Sequence, residues 1–313
     1  MSRLWCTIAP ISYSDPDQVL AQGFHLSDDI DICPTPEWFK DSGFFNQLNP
    51  DIAAAVKTRS FVLMAQYYGH SLADSDPTWT GKEASTMESR AIQHVQLANL
   101  ALWIARPSSI SIKAIIQAVK GDEEWHRLVQ IRNNPLSPHP RDLLTGLTTP
   151  DFETARNLLA SMNSLHCKGS IWVALRTMFE ALAADWWEGR FLFLWVALEA
   201  LFGPKDAREI SHRLAQRIAF FLADDPIEAQ ALFSTIKKSY AWRSKVAHGI
   251  GLDKLSPDTS FSMLHDTETT LRKIVTHILM NPDIISQFNS KTREEYLDSL
   301  VFSVHTKPPI PGI

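Results

Sequence analysis

The stretch YAWRSKVAHG, residues 240–249, combines an arginine, a histidine and a closing glycine. Gly249 is the usual residue just past a helix end, because glycine enters the left-handed backbone region without strain. Arg243 to His248 are therefore predicted to lie on the last turns of a helix. Arg243 carries a planar fork of donors that fits a phosphate, and His248 can exchange a proton near neutral pH. A phosphate-binding group beside a group that can transfer protons is the minimum needed to cleave a phosphodiester bond.

Spacing alone does not identify this site. An arginine followed by a histidine after four to six residues occurs three times, at Arg243–His248, Arg272–His277 and Arg132–His139. The second pair lies in a long amphipathic pattern and the third in a proline-rich connector, so the context favours the first. Five positions along a helix mean about 140° of rotation. A working site therefore needs the helix end to bend, or a second copy of the motif to face it.

Three blocks of sequence resemble one known family. YxxRSKVAHG at 240–249 is similar to the signature of the Apea-like branch of the HEPN superfamily. FLWVALEALFG at 193–203 resembles the first conserved helix of that branch, and SHRLAQRIA at 211–219 resembles the helix between them. The resemblance covers about residues 170–280.

The resemblance implies a helical bundle and a reaction. Active members of the family are metal-independent endoribonucleases whose two motifs meet across a homodimer. His248 would then move protons for attack by the RNA 2′-hydroxyl, and Arg243 would stabilise the charge on the phosphorane. The resemblance implies RNA as substrate, no cofactor and no metal. It also implies a role as a toxin or anti-phage defence effector, held inactive until triggered, with a regulatory or neutralising protein as a further candidate partner.

Glu199 is the one charge in the apolar run 191–202. A buried carboxylate needs a partner, and Arg217 and Arg243 are the two candidates. The pair is expected either to support the fold or to tune the site, since both settings perturb charged groups.

Four further residues accompany the catalytic pair in this interpretation. Ser244 stands where many HEPN nucleases carry Asn, Asp or His, which brings the rate of catalysis into question. Tyr240 is expected as a packed helix residue that supports the site. Lys245 and Arg213 are candidate contacts to the RNA backbone.

Other interpretations of the motif stay open. Arg243 and His248 could be a surface phosphate contact and a residue favoured at a helix C-terminus by the dipole. The bundle could be a non-catalytic dimeric scaffold that binds RNA or a partner protein. A ligand-sensing helical domain would instead show a closed apolar pocket, with the motif buried away from any interface.

Composition sets limits on partners. The chain has 313 residues, 45% hydrophobic and 21% charged, with a net charge of −5. That charge argues against a surface that broadly coats nucleic acid. Residues 205–245 reverse the balance, with 8 basic and 5 acidic residues, so a polyanion is expected to approach near the motif.

Several classes of function are disfavoured by missing signals. Three scattered cysteines fit a reducing cytosol and give no disulfide frame or zinc knuckle. The histidines lack metal-ligand spacing, and no phosphate-binding Gly-rich loop occurs. Ile250 stands where a related HEPN group carries a tyrosine that a partner nucleotidyltransferase modifies. No signal peptide or membrane-length apolar run is present, so a cytoplasmic protein is predicted.

The prolines between 135 and 150 suggest a domain boundary. The predicted fold is mainly α: a mixed α+β N-terminal domain at 1–135, a connector at 136–150, a helical bundle at 151–303 and an extended tail at 304–313. The N-terminal domain has no catalytic constellation and is a candidate for sensing or restraint. A 151–313 fragment no more active than the whole chain would count against that role.

Apolar periodicity predicts the individual elements. In the N-terminal half, strands and loops are expected over 1–50, helices at 51–68, 83–104 and around 123–131, a turn at 74–80 and a half-buried strand at 110–116. In the C-terminal half, helices are expected at 150–166 with Thr149 as cap, 170–184, 186–202, around 210–218, from Pro226 to the motif, 257–281 with Ser256 as cap, and 293–301.

Overall fold

The computed structural model describes residues 2–12, 20, 22–40, 42–57, 61–70, 81–108, 110–121, 124–132, 146–165, 167–204, 209–252 and 255–302. Most of these residues lie in helices, and an antiparallel sheet occupies the N-terminal part, which confirms the mainly α fold with a mixed N-terminal region. The turn predicted at 74–80, most of the connector, His139 and the extended tail lie outside the described residues.

The N-terminal sheet contains seven strands in the described part of the chain. They are β1 (Ser2–Ser12), β2 (Phe24–Ser27), β3 (Ile30–Pro34), β4 (Phe61–His70), β5 (Ser111–Ile112), β6 (Ala114–Lys120) and β7 (Trp125–Arg132). The order across the sheet is β2-β3-β4-β1-β6-β7, and β5 pairs with the end of β1. Every pairing is antiparallel.

In the described ranges, the sheet is accompanied by five helices: α1 (Glu37–Lys40), α2 (Ser42–Phe45), α3 (Pro50–Val56), α4 (Gly81–Ala105) and α5 (Thr149–Ser164). Residues 5–11 of β1 are all buried, so both faces of this central strand are covered. One covering layer comes from α1 to α3, where Phe39 and Phe44 pack against Ile8 and Ile116. Gln47 ties this layer to β7 by donating to the Trp125 carbonyl at 3.3 Å.

The structure corrects the predictions for three segments of this unit. The helix predicted at 51–68 ends at Val56, and residues 61–70 form β4. The helix predicted around 123–131 is the strand β7. The stretch predicted as one half-buried strand at 110–116 is instead β5 and the start of β6, and Gln117, expected outside, is buried and donates to Thr7 Oγ1 at 3.3 Å. Each segment finds its backbone partners in a neighbouring strand, which local periodicity does not reveal.

The chain divides into two compact units, Met1–Asn163 and Ser164–Ile313. The division therefore follows α5 rather than falling in the predicted connector at 136–150. Side chains of α5 contact the sheet: the Phe152 ring lies 5.2 Å from that of Phe24, and Arg156 Nε donates to the His25 carbonyl at 2.8 Å. The helical bundle thus begins one helix later than the predicted 151.

The C-terminal unit contains seven helices within the described residues. They are α6 (Gly169–Ala183), α7 (Trp187–Phe202), α8 (Ile210–Leu222), α9 (Pro226–Ala247), α10 (Pro257–Leu279), α11 (Pro282–Asn289) and α12 (Arg293–Ser299), followed by a 3₁₀ turn at Leu300–Phe302. Six of them lie where helices were predicted, to within about two residues at most ends, although α8 runs on to Leu222. The helix α11 was not predicted.

Helix starts follow local capping chemistry. Asp225 accepts from the backbone N–H groups of Ile227 and Glu228, both at 2.8 Å, and Pro226 takes the first helical position of α9. Ser256 and Pro257 repeat this arrangement for α10, as predicted. The predicted cap of α5 is off by one residue: Thr148, not Thr149, bonds Asp151 through its N–H and hydroxyl.

The central helix α7 buries most of its surface, including Phe191, Leu194, Trp195 and Leu198. Not all of its apolar side chains are buried, because Phe193 and Val196 are 40% and 37% exposed. None of the helices in the described part of the chain has the length and apolar character needed to cross a membrane.

A buried ion pair joins α7 to α10. Arg190 Nε donates to Glu268, and their side chains are only 7% and 3% exposed. Opposite charges at this depth hold each other in place, and removal of one leaves the other without its partner in a poorly solvated environment.

We therefore expect Glu268→Ala to lower the free energy of unfolding by about 3–5 kcal/mol, the usual cost of stranding one member of a buried pair. Arg190→Met/Glu268→Leu should regain most of that loss, because an apolar pair needs no charge compensation. Denaturant unfolding of the three proteins measures both effects. The control Glu180→Ala, an exposed carboxylate of α6, should change stability by less than about 0.5 kcal/mol. Equal losses at Glu180 and Glu268 would contradict the structural role.

Candidate functional site

Arg243 is held by Glu199. The Arg243 Nη2 donates to Glu199 Oε2 at 3.1 Å, and Arg243 Nε lies 3.0 Å from Glu199 Oε1. The two side chains come from α9 and α7 and are 29% and 27% exposed. Of the two partners predicted for Glu199, the structure selects Arg243. The pair is thus joined by one hydrogen bond and a second close charge contact, because Arg243 Nε and Glu199 Oε1 do not meet in hydrogen-bond geometry. Other N–H groups of the guanidinium remain for another acceptor.

Tyr240 belongs to the same cluster. Its ring lies 5.9 Å from the Arg243 guanidinium carbon and makes an edge contact with Trp195 at 5.2 Å. Burial, followed by the charge and hydrogen bond of Glu199, raises the pKa of Tyr240, whereas the Arg243 charge lowers it. Tyr240 is thus a packed residue that supports the pair, as the sequence predicts.

His248 closes α9. Its backbone N–H still bonds to the Ser244 carbonyl at 3.3 Å, and Gly249 follows with φ of +65°. The Gly249 N–H bonds to the Val246 carbonyl and the Ile250 N–H to the Lys245 carbonyl, which together form a Schellman motif. The predicted left-handed glycine is confirmed. His248 is exposed, and among the described residues its ring makes no hydrogen bond or ion pair.

The single chain does not bring Arg243 and His248 into contact. Arg243 turns toward α7, while His248 lies exposed at the helix end. This arrangement is what about 140° of rotation over five helical positions produces. A site that uses both groups on one phosphate therefore needs a second copy of the motif or a movement of the helix end.

Ser244 and Lys245 are both exposed on α9. Lys245 Nζ lies 4.2 Å from the centre of the Trp242 ring, a cation–π contact. Trp242 is not among the site residues that the sequence predicts. Its position directly before Arg243, inside the motif, is the signal that could have singled it out.

Arg217 and Arg213 belong to a different cluster. Arg217 is 2% exposed, and its fork binds Glu294 Oε2 at 2.8 Å and Asp298 Oδ1 at 2.8 Å. Arg213 lies 3.4 Å from the same aspartate. Arg217, one of the two partners predicted for Glu199, therefore does not bind it, because carboxylates of α12 occupy the N–H donors of Arg217.

The same cluster closes the end of α7. Arg217 Nη1 donates to the Phe202 carbonyl at 3.0 Å, and Arg293 Nη2 donates to the Leu201 carbonyl at 2.6 Å. Both are carbonyls of the last helical turn, which has no partners within the helix. These arginines therefore serve the fold of the bundle.

Two other histidines of the unit pack against aromatic rings. His277, the partner of Arg272 in the second motif-like pair, is buried against Phe221 at 5.1 Å. His212 packs on Phe233 at the same distance. No three His, Cys, Asp or Glu residues within the described ranges are grouped so that they could hold a metal ion.

The exposed side of α9 near the motif is basic. Lys237, Lys238 and Lys245 are exposed, and residues 229–252 contain no Asp or Glu. With the Arg243 charge offset by Glu199, these lysines supply the positive potential around the motif.

Comparison with known protein families, with curated proteins and with solved structures finds no match for this chain. The resemblance to the Apea-like HEPN group thus rests on the three blocks of residues alone and stays a prediction.

The geometry of the cluster predicts a change in the titration of Tyr240. Glu199→Gln should lower the pKa of Tyr240 toward its ordinary value yet leave it raised, because burial is the largest cause and persists. A raised pKa means that the folded state holds the phenolic proton more tightly than the unfolded chain. Its stabilising contribution is therefore intact below about pH 10 and is lost as the pH rises through the raised pKa.

Tyrosinate absorbance as a function of pH, with Tyr240→Phe as the blank, measures this shift. In Glu199→Gln the loss of stability at alkaline pH should shrink. An unchanged Tyr240 titration would show that the carboxylate does not contact the phenol.

Proposed function

We propose that the C-terminal unit is a metal-independent endoribonuclease of the HEPN type, completed across a homodimer, and that it acts as a toxin or anti-phage defence effector. The observation that carries the proposal is the Arg243–Glu199 pair on the helix that ends at an exposed His248. An oriented guanidinium and an accessible imidazole are the two groups that RNA cleavage without a metal requires.

The Glu199 contact has a direct chemical use. It takes one N–H of the Arg243 guanidinium and leaves others that can bind the non-bridging oxygens of a phosphate. Because the fork is fixed before substrate arrives, less freedom is lost when the phosphate binds. Lys245 and the lysines earlier on α9 give a path for the backbone of a single strand.

The reaction follows from these groups. One His248 accepts the proton of the 2′-hydroxyl as the 2′-oxygen attacks phosphorus, and a second His248 gives a proton to the departing 5′-oxygen. Arg243 stabilises the negative charge that grows on the phosphorane. The products are a 2′,3′-cyclic phosphate and a 5′-hydroxyl, and DNA survives because it lacks the nucleophile.

A second copy of the chain supplies what one chain lacks. Phe193 and Val196 form an exposed apolar strip on α7, on the approach to Glu199, and Val173 of α6 is 46% exposed. An apolar surface of this kind next to polar site residues is typical of subunit interfaces. Its position supports dimerisation through the face that carries the motif.

Two observations favour the alternative, a non-catalytic dimeric scaffold that binds RNA or a partner protein. Glu199 offsets the charge of Arg243, and Ser244 has little capacity for proton transfer. Binding of RNA without cleavage would support this alternative.

The enzyme proposal makes a clear prediction for labelled single-stranded RNA in the presence of EDTA. The protein should cleave it and leave a 2′,3′-cyclic phosphate, but should leave a 2′-deoxy version intact. His248→Ala should slow cleavage by roughly 10²- to 10⁴-fold, since it removes general acid–base catalysis. Arg243→Lys should also be slower, because a point charge replaces a planar fork.

The matched control is His212→Ala, which removes an exposed histidine outside the motif and should cleave like the unmodified protein. Cleavage that survives in His248→Ala, or that needs Mg²⁺, would rule out this mechanism.

The composite site makes a separate prediction. Arg243→Ala and His248→Ala dimers should each be inactive, whereas a mixture allowed to exchange subunits should regain part of the activity. Mixed dimers keep one arginine and one histidine, so a shared site is partly restored. Light scattering should show dimers throughout. A monomeric active protein, or mixed dimers without recovery, would contradict a site shared between subunits.

A further inference from the structure

A cleft of 480 Å³ lies between α7, α9 and α10 of the C-terminal unit. This volume is within the range of sites that hold small organic ligands. Leu198, Ile236 and Met263 give it apolar walls, and Trp195 and Trp242 add two indole rings. Trp242 directly precedes Arg243, and Trp195 contacts Tyr240, so the cleft shares its walls with the cluster around the Arg243–Glu199 pair.

The indole N–H of Trp195 is a buried hydrogen-bond donor. The residue is fully buried, and its Nε1–H has no acceptor among the described residues. A buried donor without a partner is unfavourable. An acceptor on a bound molecule would reach this donor only after the indole moves, because the Nε1 atom has almost no accessible surface.

The charges of the two helical walls differ. Asp258 and Asp266 line the α10 side, and Lys238 lines the α9 side. Carboxylates accept from N–H groups and repel phosphates, whereas a lysine attracts phosphate. A ligand that matches both walls therefore carries N–H donors at one end and a negative charge at the other.

Trp242 offers a stacking surface. It is half-buried, it lines the cleft, and Lys245 covers its ring at 4.2 Å. Aromatic side chains beside basic residues are the usual platforms for the bases of single-stranded nucleic acid, because every base has a π face.

We propose that this cleft binds a nucleobase that carries an exocyclic amine: cytosine, adenine or guanine. The base stacks on Trp242, and its amine donates to the aspartates of α10. Uracil presents a carbonyl where cytosine has its amine, so it faces the aspartates with an acceptor and is rejected. The base belongs either to an RNA strand or to a free nucleotide. The first case rests on the proposed function, and the second is independent of it.

The test uses pairs that differ at one position: CMP against UMP, and AMP against IMP, as free nucleotides and within 2′-O-methyl oligonucleotides. The 2′-O-methyl group blocks the nucleophile, so binding is measured apart from cleavage. Calorimetry on the whole protein should show that the amino member of each pair binds roughly 10-fold or more tightly, as expected for a hydrogen bond to a charged group.

Three variants assign the effect to the cleft. Trp242→Ala should weaken binding of all bases by roughly 5- to 150-fold. Asp258→Asn/Asp266→Asn, which changes two exposed side chains, should fold normally and lose the preference for amino bases. Trp186→Ala removes a tryptophan that is 78% exposed and outside the cleft, and it should bind as the unmodified protein does.

The outcomes separate the two proposals. Equal binding within each pair, no binding at all, or a preference that survives in the double aspartate variant overturns the base site. Tight binding of free CMP or AMP identifies a soluble nucleotide as the source, and binding of oligonucleotides alone identifies the RNA strand. If the protein binds bases selectively but never cleaves RNA, the base site is supported and the nuclease proposal is wrong. If it cleaves RNA with no base preference and Trp242→Ala has no effect, the nuclease proposal is supported and the base site is wrong.

Discussion

The ion pair of Arg243 and Glu199 is the interaction on which the proposed function depends. It connects the central helix α7 to the helix that carries the motif, and it is only partly exposed to solvent. A pair in this setting is screened less than a surface pair and holds its geometry better. The same contact orders the guanidinium, sets the environment of Tyr240, and reduces the positive charge that an RNA strand would meet.

The helical half of the chain was readable from sequence because its signals are local. Asp225 and Ser256, each followed by a proline, mark the starts of α9 and α10, and Gly249 marks the end of α9 through its positive φ. The need of Glu199 for a cationic partner was also readable, since a carboxylate in an apolar run must be compensated. Only its choice between two arginines required the structure.

The errors arose where distant contacts decide the outcome. Residues 61–70 and 125–132 become strands because neighbouring strands complete their hydrogen bonds, and no short-range pattern announces that pairing. The helix α5 joins the N-terminal unit through an aromatic contact with Phe24, 128 positions away in sequence from Phe152. Arg217 was assigned to the site because a long cationic side chain can reach many carboxylates, and its true partners lie in α12. Trp242 could be recognised as a candidate ligand contact only in the structure, where three helices place it at the edge of a cleft.

The arginine contacts at the end of α7 bear on where the chain can be shortened. Arg293 of α12 donates a hydrogen bond to the Leu201 carbonyl. Arg217 donates to the Phe202 carbonyl, and carboxylates of α12 hold Arg217 in position. Residues of α12 therefore complete the hydrogen bonding at the C-terminal end of α7. A truncation before residue 293 would fray the centre of the bundle from its C-terminal end, so expression fragments should retain α12 even though it is distant in sequence from the motif.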